Sequence, residues 1–497
     1  MPASQLRSLF VHRACASRLA ASLALYCLSS GAFLASSAAA EPPPSLNSSL
    51  SATVQAAQLG DGISISVVDL KTGQPVYALR ERTLRNPASN LKVLTAAAAL
   101  LELGPDYRFR TGLYGHQQGH RLAGPVYLRG FGDPSLDTGD FLQLAQDLVL
   151  RGVTQVERVV IDDSFFDAEV LPPAFEQQPW EPASFRAAVS AVSVNRNAFS
   201  FRVQPGTGPK TPALVHLDAP AYFQVENLIT TGEGRRLNVI AIQEDGDAQM
   251  VLKLRGVIPQ GMAGVSYRRR VASPSDYAGH VLVGALKNAG ITVENPRPQR
   301  GATPANAPLL VQHSSQPLSQ ILRELGKYSD NFVAEMVLKV LGAERRGVPG
   351  TSAHGAEVVH ARLAALGIEV PDLTLVNGSG LFDGNLVAPK HITDLLEAMV
   401  PHNDCWPEFL SQLSVGGQDG TLHNRLLSLP QGVVVRAKTG TLNDVIALSG
   451  YILGKRSDEG FAFSILANGI RGHQSATRTM VDNLIQQLAE HLAKTQR

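Results

Sequence analysis

Cysteine is scarce in this 497-residue chain, which holds Cys15, Cys27 and Cys405 alone. The first two fall in an N-terminal stretch that reads as removable, so no internal disulfide is expected and a packed core must hold the fold. Charge excess is missing as well. Lysine plus arginine (44) nearly cancels aspartate plus glutamate (43), which argues against nucleic-acid binding by bulk charge. After the first 40 residues no apolar run is long enough to span a bilayer, and there is no internal repeat. Metal-ligand clusters are thin. His116 and His120 have helical ligand spacing, but they lie in a Gly/Gln-rich turn with no acidic partner nearby, so no metal is expected. Gly130-x-Gly132 lacks the helix that a nucleotide fingerprint needs after it, and no cofactor is implied.

What is present starts at the N-terminus. Arg7, His12, Arg13 and Arg18 precede an apolar run from Leu19 to Leu28 that continues to Phe33-Leu34 and ends in Ala38-Ala39-Ala40. That order of charge, apolar core and small residues predicts an export signal over 1–40, cleaved after Ala40. Tyr26 before Cys27 is too bulky for a lipid-attachment site. The mature chain is therefore expected outside the cytoplasmic membrane, with no integral segment of its own.

Residues 41–47 are rich in proline and serine and read as a linker. Alternation over 63–70, the turn Lys71-Thr72-Gly73-Gln74 and the apolar run 75–79 predict a hairpin. From 107 to about 311 short β-rich segments (126–130, 158–161, 198–203, 236–242, 248–254) are separated by Gly/Pro/Asp turns, with candidate helices over 140–151 and 276–288. Helical patterns follow at 317–324, 331–341, 354–366 and 391–399. Strands are predicted over 431–437, 445–452 and 460–467, and a long periodic helix over 473–494. An antiparallel sheet built from both ends of the chain, with helices packed on it, is an α+β plan.

Three short motifs carry chemistry. Ser89 and Lys92 stand three apart at a helix start, where Pro87 opens the run and Gly104 stops it. Such residues share a face, so Lys92 can reach the Ser89 hydroxyl over unpaired backbone N–H groups. Serine needs an adjacent base, and lysine serves as one only if its pKa is pushed down. Taken alone, most such pairs are a capping serine and a surface lysine. The second motif is Ser329-Asp330-Asn331, in a turn before a helix. Ser329 can relay a proton and the Asn331 amide can hold a substrate amide, while either residue could simply cap the helix. The third is Lys438-Thr439-Gly440-Thr441 at a strand end. There Lys438 reads as a fixed positive charge, Gly440 as room for a substrate backbone, and the two threonines as a grip on a carboxylate. Lys71-Thr72-Gly73 and Ser193-Val194-Asn195 imitate these motifs. The first precedes Ser89 and sits in a hairpin turn, and the second lies between alternating apolar residues.

The order Ser-x-x-Lys, Ser-Asp-Asn, Lys-Thr-Gly is the signature of penicillin-recognising serine enzymes. The chain resembles the low-molecular-mass penicillin-binding proteins of the D-alanyl-D-alanine carboxypeptidase/endopeptidase family, which carry a large insertion after the first motif. Ser89 and Ser329 stand much farther apart than a compact β-lactamase would have them. Further matching segments are 130–136, Asn377-Gly378-Ser379-Gly380-Leu381 and 416–422. Asn377, where the family usually has aspartate, and Phe131, in a run that is usually all glycine, depart from the pattern. The resemblance implies a transpeptidase/β-lactamase-like catalytic domain from 41–106 and 313–497, with an inserted region of one or two small β-rich domains at 107–312. It also implies Ser89 as nucleophile, Lys92 as base and Ser329 as proton relay. Asn331, Lys438, Thr439, Gly440 and Thr441 would bind substrate, with the backbone N–H groups of Ser89 and Thr441 as the oxyanion hole. The implied partners are peptidoglycan stem peptides and β-lactams, and the implied compartment is the periplasm. A β-lactamase or esterase on the same fold and a non-catalytic cell-wall binder are the rival readings.

Overall fold

Both ends of the described chain meet in one six-stranded antiparallel sheet. Its order is Ser414–Val415, Val434–Leu442, Val445–Leu453, Gly460–Asn468, Ile63–Asp69 and Pro75–Leu79. The computed structural model describes residues 45–495 apart from 220, 234–236, 245, 247–248 and 457–458. The expected export signal lies outside the described residues.

The alternation that predicts the first strand has a specific cause. Ile63, Ile65 and Val67 pack with Met480, Leu484, Ile485 and Leu488 of the C-terminal helix Gln474–Thr495. The intervening serines face helices on the other side, where the Ser66 hydroxyl meets that of Thr393 at 2.8 Å and Ser64 accepts from Arg85 Nε at 3.1 Å. Both faces are thus buried, and a hydroxyl survives there only because it is hydrogen-bonded. On that second face the helices Leu91–Leu103, Leu318–Tyr328, Asn331–Arg346 and Pro389–Met399 share a core with Ala447, Tyr451, Ala462 and Leu466 of the sheet.

Of the expected linker over 41–47, residues 41–44 lie outside the described residues and the remainder opens a helix. Ser45 accepts from the Ser48 N–H and starts a helix, Leu46–Ala56, that buries Leu50 and Val54. Gln487 of the C-terminal helix bonds to Ser49 and Thr53 on it.

Between residues 110 and 314 the chain builds a seven-stranded sheet and two three-stranded sheets, with the helices Thr138–Leu150 and Pro274–Asn288 packed among them. Their apolar residues form a cluster of their own, from Leu113 to Val311. The strand Thr292–Arg300 escapes sequence reading because it contains Pro296 and Pro298. It pairs with Gln155–Asp162 only by shifting register between Asn295 and Gln299, which takes both prolines out of the ladder.

Two local expectations need correction. The helix after Ser329 is capped by Asp330, whose carboxylate accepts from the Val333 N–H at 3.2 Å, and not by Ser329 or Asn331. The strand at the third motif does not end before Lys438. It runs from Val434 to Leu442, and Lys438, Thr439, Gly440 and Thr441 pair with Ser449, Leu448, Ala447 and Ile446. The imitating motifs are structural. Asp69 accepts from the N–H groups of Lys71 and Thr72 in a turn, and the Ser193 hydroxyl is buried against the Ser190 carbonyl.

Candidate active site

Ser89 sits in a 3₁₀ turn, Ala88–Asn90, that leads into the helix Leu91–Leu103. The turn is set by Asn86, whose Oδ1 accepts from the Ala88 N–H at 2.9 Å while its Nδ2 donates to Asp383 at 2.9 Å. Asn90 ties the same turn to the sheet, with Nδ2 donating to Ser449 Oγ at 2.6 Å. The nucleophile is thereby fixed between the helix layer and the sheet.

Lys92 is wholly buried, and its Nζ has three neighbours: Ser89 Oγ at 3.0 Å, Asn331 Oδ1 at 2.7 Å and the Ser379 carbonyl at 2.6 Å. Burial pushes its pKa down to about 7, against the opposing pull of Glu335 and Asp330. The cause is thus desolvation, with no second cation required. Lys438 is also buried and donates to Ser329 Oγ and to the Thr439 carbonyl, each at 2.8 Å. Burial first and Lys92 second push it well below the ordinary lysine value. Ser329, at the C-terminus of Leu318–Tyr328, adopts a left-handed conformation (φ 59°) that brings its hydroxyl to Lys438.

Ser89, Ser329, Asn331 and Thr441 open onto one cleft of about 610 Å³, shared with Phe185, Leu381, Asp383, Asp444 and others. Lys92 and Lys438 lie beneath its floor. Thr439 turns aside and donates to Thr421 Oγ1 at 2.8 Å. Beyond Ala437 no strand pairs with the outer edge of Val434–Leu442 among the described residues, so an extended peptide can add there. Gly440 has a packing task as well. A Cβ on it would lie 2.9 Å from the Pro87 carbonyl oxygen and 3.2 Å from the Ala88 Cβ, so the close approach it permits is that of the Ser89 turn. Gly440→Ala is accordingly expected to destabilise the fold by about 1–3 kcal/mol and to slow acylation, because the neighbouring atoms are a backbone oxygen and alanine β-carbons, which cannot swing away. Unchanged denaturant midpoint and acylation rate would refute this.

Sequence reading missed several supports. Glu335, one turn beyond Asn331, is buried and accepts from the Gly378 N–H (2.9 Å) and the Ser379 N–H (2.8 Å), clamping the segment whose carbonyl meets Lys92. Its i, i+4 spacing from Asn331 was a usable signal. Phe185 presents a backbone carbonyl to Asn331, which leaves no mark in the sequence, and Thr421, within the matching segment 416–422, contacts Thr439 from a 3₁₀ turn. No cluster of three or more metal-ligating side chains occurs among the described residues.

A buried lysine aimed at a helix-start serine, with a Ser-x-Asn turn and a Lys-Thr-Gly strand closing the same cleft, defines a penicillin-recognising serine enzyme. Within that class the chain belongs to the D-Ala-D-Ala carboxypeptidase 3 (S13) family, whose sequence profile matches residues 46–491. It is 34% identical over 447 residues to a D-alanyl-D-alanine carboxypeptidase of Actinomadura sp. (strain R39), covering 86% of this chain and 81% of that one. It is 26% identical over 458 residues to the D-alanyl-D-alanine carboxypeptidase DacB of Haemophilus influenzae, covering 89% and 93%. The crystal structure of penicillin binding protein 4 from Haemophilus influenzae, complexed with a β-lactam, matches with a TM-score of 0.72 at 25% identity over 89% of this chain and 99% of that one.

Proposed function

We propose that this protein is a serine-type D-Ala-D-Ala carboxypeptidase, with DD-endopeptidase activity at the same site, acting on peptidoglycan stem peptides through an acyl-enzyme. The observation that carries the mechanism is the set of partners around Lys92. Asn331 Oδ1 and the Ser379 carbonyl only accept hydrogen bonds. A neutral Lys92 amine gives its two N–H groups to them, and its lone pair is left for the Ser89 hydroxyl. Burial supplies the neutral form near pH 7.

Lys92 takes the Ser89 proton as Oγ attacks the carbonyl of the penultimate D-alanine. The backbone N–H groups of Ser89 and Thr441 are assigned to the oxyanion, a contribution of about 3–4 kcal/mol per donor in comparable sites. Ser329 hands its proton to the departing amine and takes one in its place from the charged form of Lys438 bonded to it, while Lys92 keeps the Ser89 proton until the ester is cleaved; Asn331 steadies the substrate amide. A substrate carboxylate arriving near Thr439 and Thr441 favours the charged form of Lys438. Water then hydrolyses the ester.

Around this site we assign 41–106 and 313–497 to the catalytic part, 107–312 to the insertion, and 1–40 to an export signal that delivers the enzyme to the periplasm. No helix among the described residues is long and apolar enough to cross a membrane. Incubation with benzylpenicillin should leave a penicilloyl adduct on the peptide containing Ser89, read by mass spectrometry, and Ser89→Ala should abolish it. An adduct on Ser329 would overturn the assignment. Rapid turnover of the adduct would identify a β-lactamase instead.

A further inference from the structure

The aim of Lys92 depends on Asn331 showing it an oxygen, and the reason lies outside the three motifs. An amide has an accepting end and a donating end. Asn331 Nδ2 donates to the Phe185 carbonyl at 3.0 Å, which leaves Oδ1 to face Lys92 at 2.7 Å. Were the amide turned over, its oxygen would oppose the Phe185 carbonyl oxygen and its N–H groups would face the amine. Lys92 would then lose an acceptor, and its lone pair would be drawn away from Ser89.

Phe185 belongs to a loop between residues 173 and 186, within the long stretch that separates the first two motifs. Arg186 fixes that loop. Its side chain is fully buried, yet among the described residues it has no carboxylate partner; its two terminal nitrogens bond to backbone carbonyls alone, and its Nε has no hydrogen-bond partner. Nη1 donates to the Glu181 carbonyl at 3.1 Å and the Pro179 carbonyl at 3.4 Å, and Nη2 donates to the Phe175 carbonyl. The planar fork suits this work, since one rigid group joins three points of a loop. Arg270 adds bonds to the same Glu181 and Pro179 carbonyls. The guanidinium also lies over the Phe382 ring at 6.0 Å, and Gln177 exchanges hydrogen bonds with the backbone of Asp383 in both directions, at 3.2 and 3.3 Å. The loop is therefore anchored to the segment just after Ser379, the source of the other acceptor for Lys92.

We infer that the Phe185 carbonyl, held in place by Arg186, sets the orientation of the Asn331 amide and so aims Lys92 at Ser89. Arg186 is then a positioning residue supplied by the inserted region, which makes that region part of the acylation machinery. This rests on Lys92 being the base.

The test is stopped-flow acylation by a chromogenic β-lactam at saturating concentration, expressed per titrated Ser89. Arg186→Leu should lower the limiting acylation rate about ten- to a hundredfold, the scale of effect that a misplacement of about 1 Å produces. Arg186→Lys, which keeps one donor, should recover part of that loss. A merely structural role would reduce the titratable fraction and the unfolding temperature while leaving the rate per site unchanged. Parental limiting rates in both variants would overturn the inference. If neither variant folds, a crystal structure of the parent decides, and an Asn331 amide beyond hydrogen-bonding distance of the Phe185 carbonyl overturns it. A Lys92→Arg protein that keeps its acylation rate would instead remove the base assignment underneath.

Discussion

Lys92→Arg is expected to reduce the rate of penicillin acylation by about a hundred- to ten-thousandfold, the range associated with losing a general base. Arginine keeps the charge and offers donors to Asn331 and Ser379, but a guanidinium does not deprotonate in proteins. The two proteins should differ in pH dependence as well as in magnitude. In the parent, acylation should rise with pH through about 7, because only the neutral amine accepts the Ser89 proton and burial holds Lys92 at that value. One unit below, roughly a tenth of the molecules carry the neutral form. The variant should show no such limb. An arginine protein that acylates at the parental rate, or that retains the limb, would show that the proton goes elsewhere. Lys438 is the alternative acceptor, being buried and bonded to Ser329. Because it is enclosed, Lys438→Arg is not a mild exchange.

The second large effect is expected at Glu335. Replacing it by leucine leaves the Gly378 and Ser379 N–H groups without their acceptor in a buried site, at about 1–3 kcal/mol for each group. Released from its clamp, the Ser379 carbonyl also shifts relative to Lys92, so the acylation rate per active molecule should fall with stability. Glu335→Gln keeps one accepting oxygen and should lie between the two. Urea midpoints and acylation rates measured on the same preparations check both parts. A leucine variant as stable as the parent would mean that the carboxylate is not what holds the 378–379 segment.

The sequence made the three motifs legible because each joins rare chemistry to a short spacing, and a spacing of three on a helix is a geometric statement. Ser89, Lys92, Ser329, Asn331 and Lys438 were readable in this way, as were the hairpin, the three late strands and the long final helix. What stayed hidden was mostly backbone. The carbonyls of Ser379 and Phe185 come from residues whose side chains say nothing of their role, and only tertiary packing brings them to Lys92 and Asn331. Propensity also stopped the third-motif strand too early. Lysine, threonine and glycine end an apolar run, but pairing with Val445–Leu453 carries the strand through to Leu442. In the long middle stretch, prolines and polar turns concealed strands such as Thr292–Arg300, whose bulge accommodates what a regular ladder would reject.

The pairing of Ile63–Asp69 with Gly460–Asn468 also constrains how the molecule comes into being. A chain made from its N-terminus presents the first of these strands early and the second among its last residues. Until then Ile63, Ile65 and Val67 have the strand Pro75–Leu79 on one side but neither their neighbour on the other nor the final helix to cover them. The region around Leu113–Val311, which has an apolar cluster of its own, can consolidate in part in the meantime. Closing the catalytic sheet is therefore a late, long-range event with a correspondingly slow rate. A polypeptide interrupted before about residue 460 holds the serine and all three motifs and still has no enzyme.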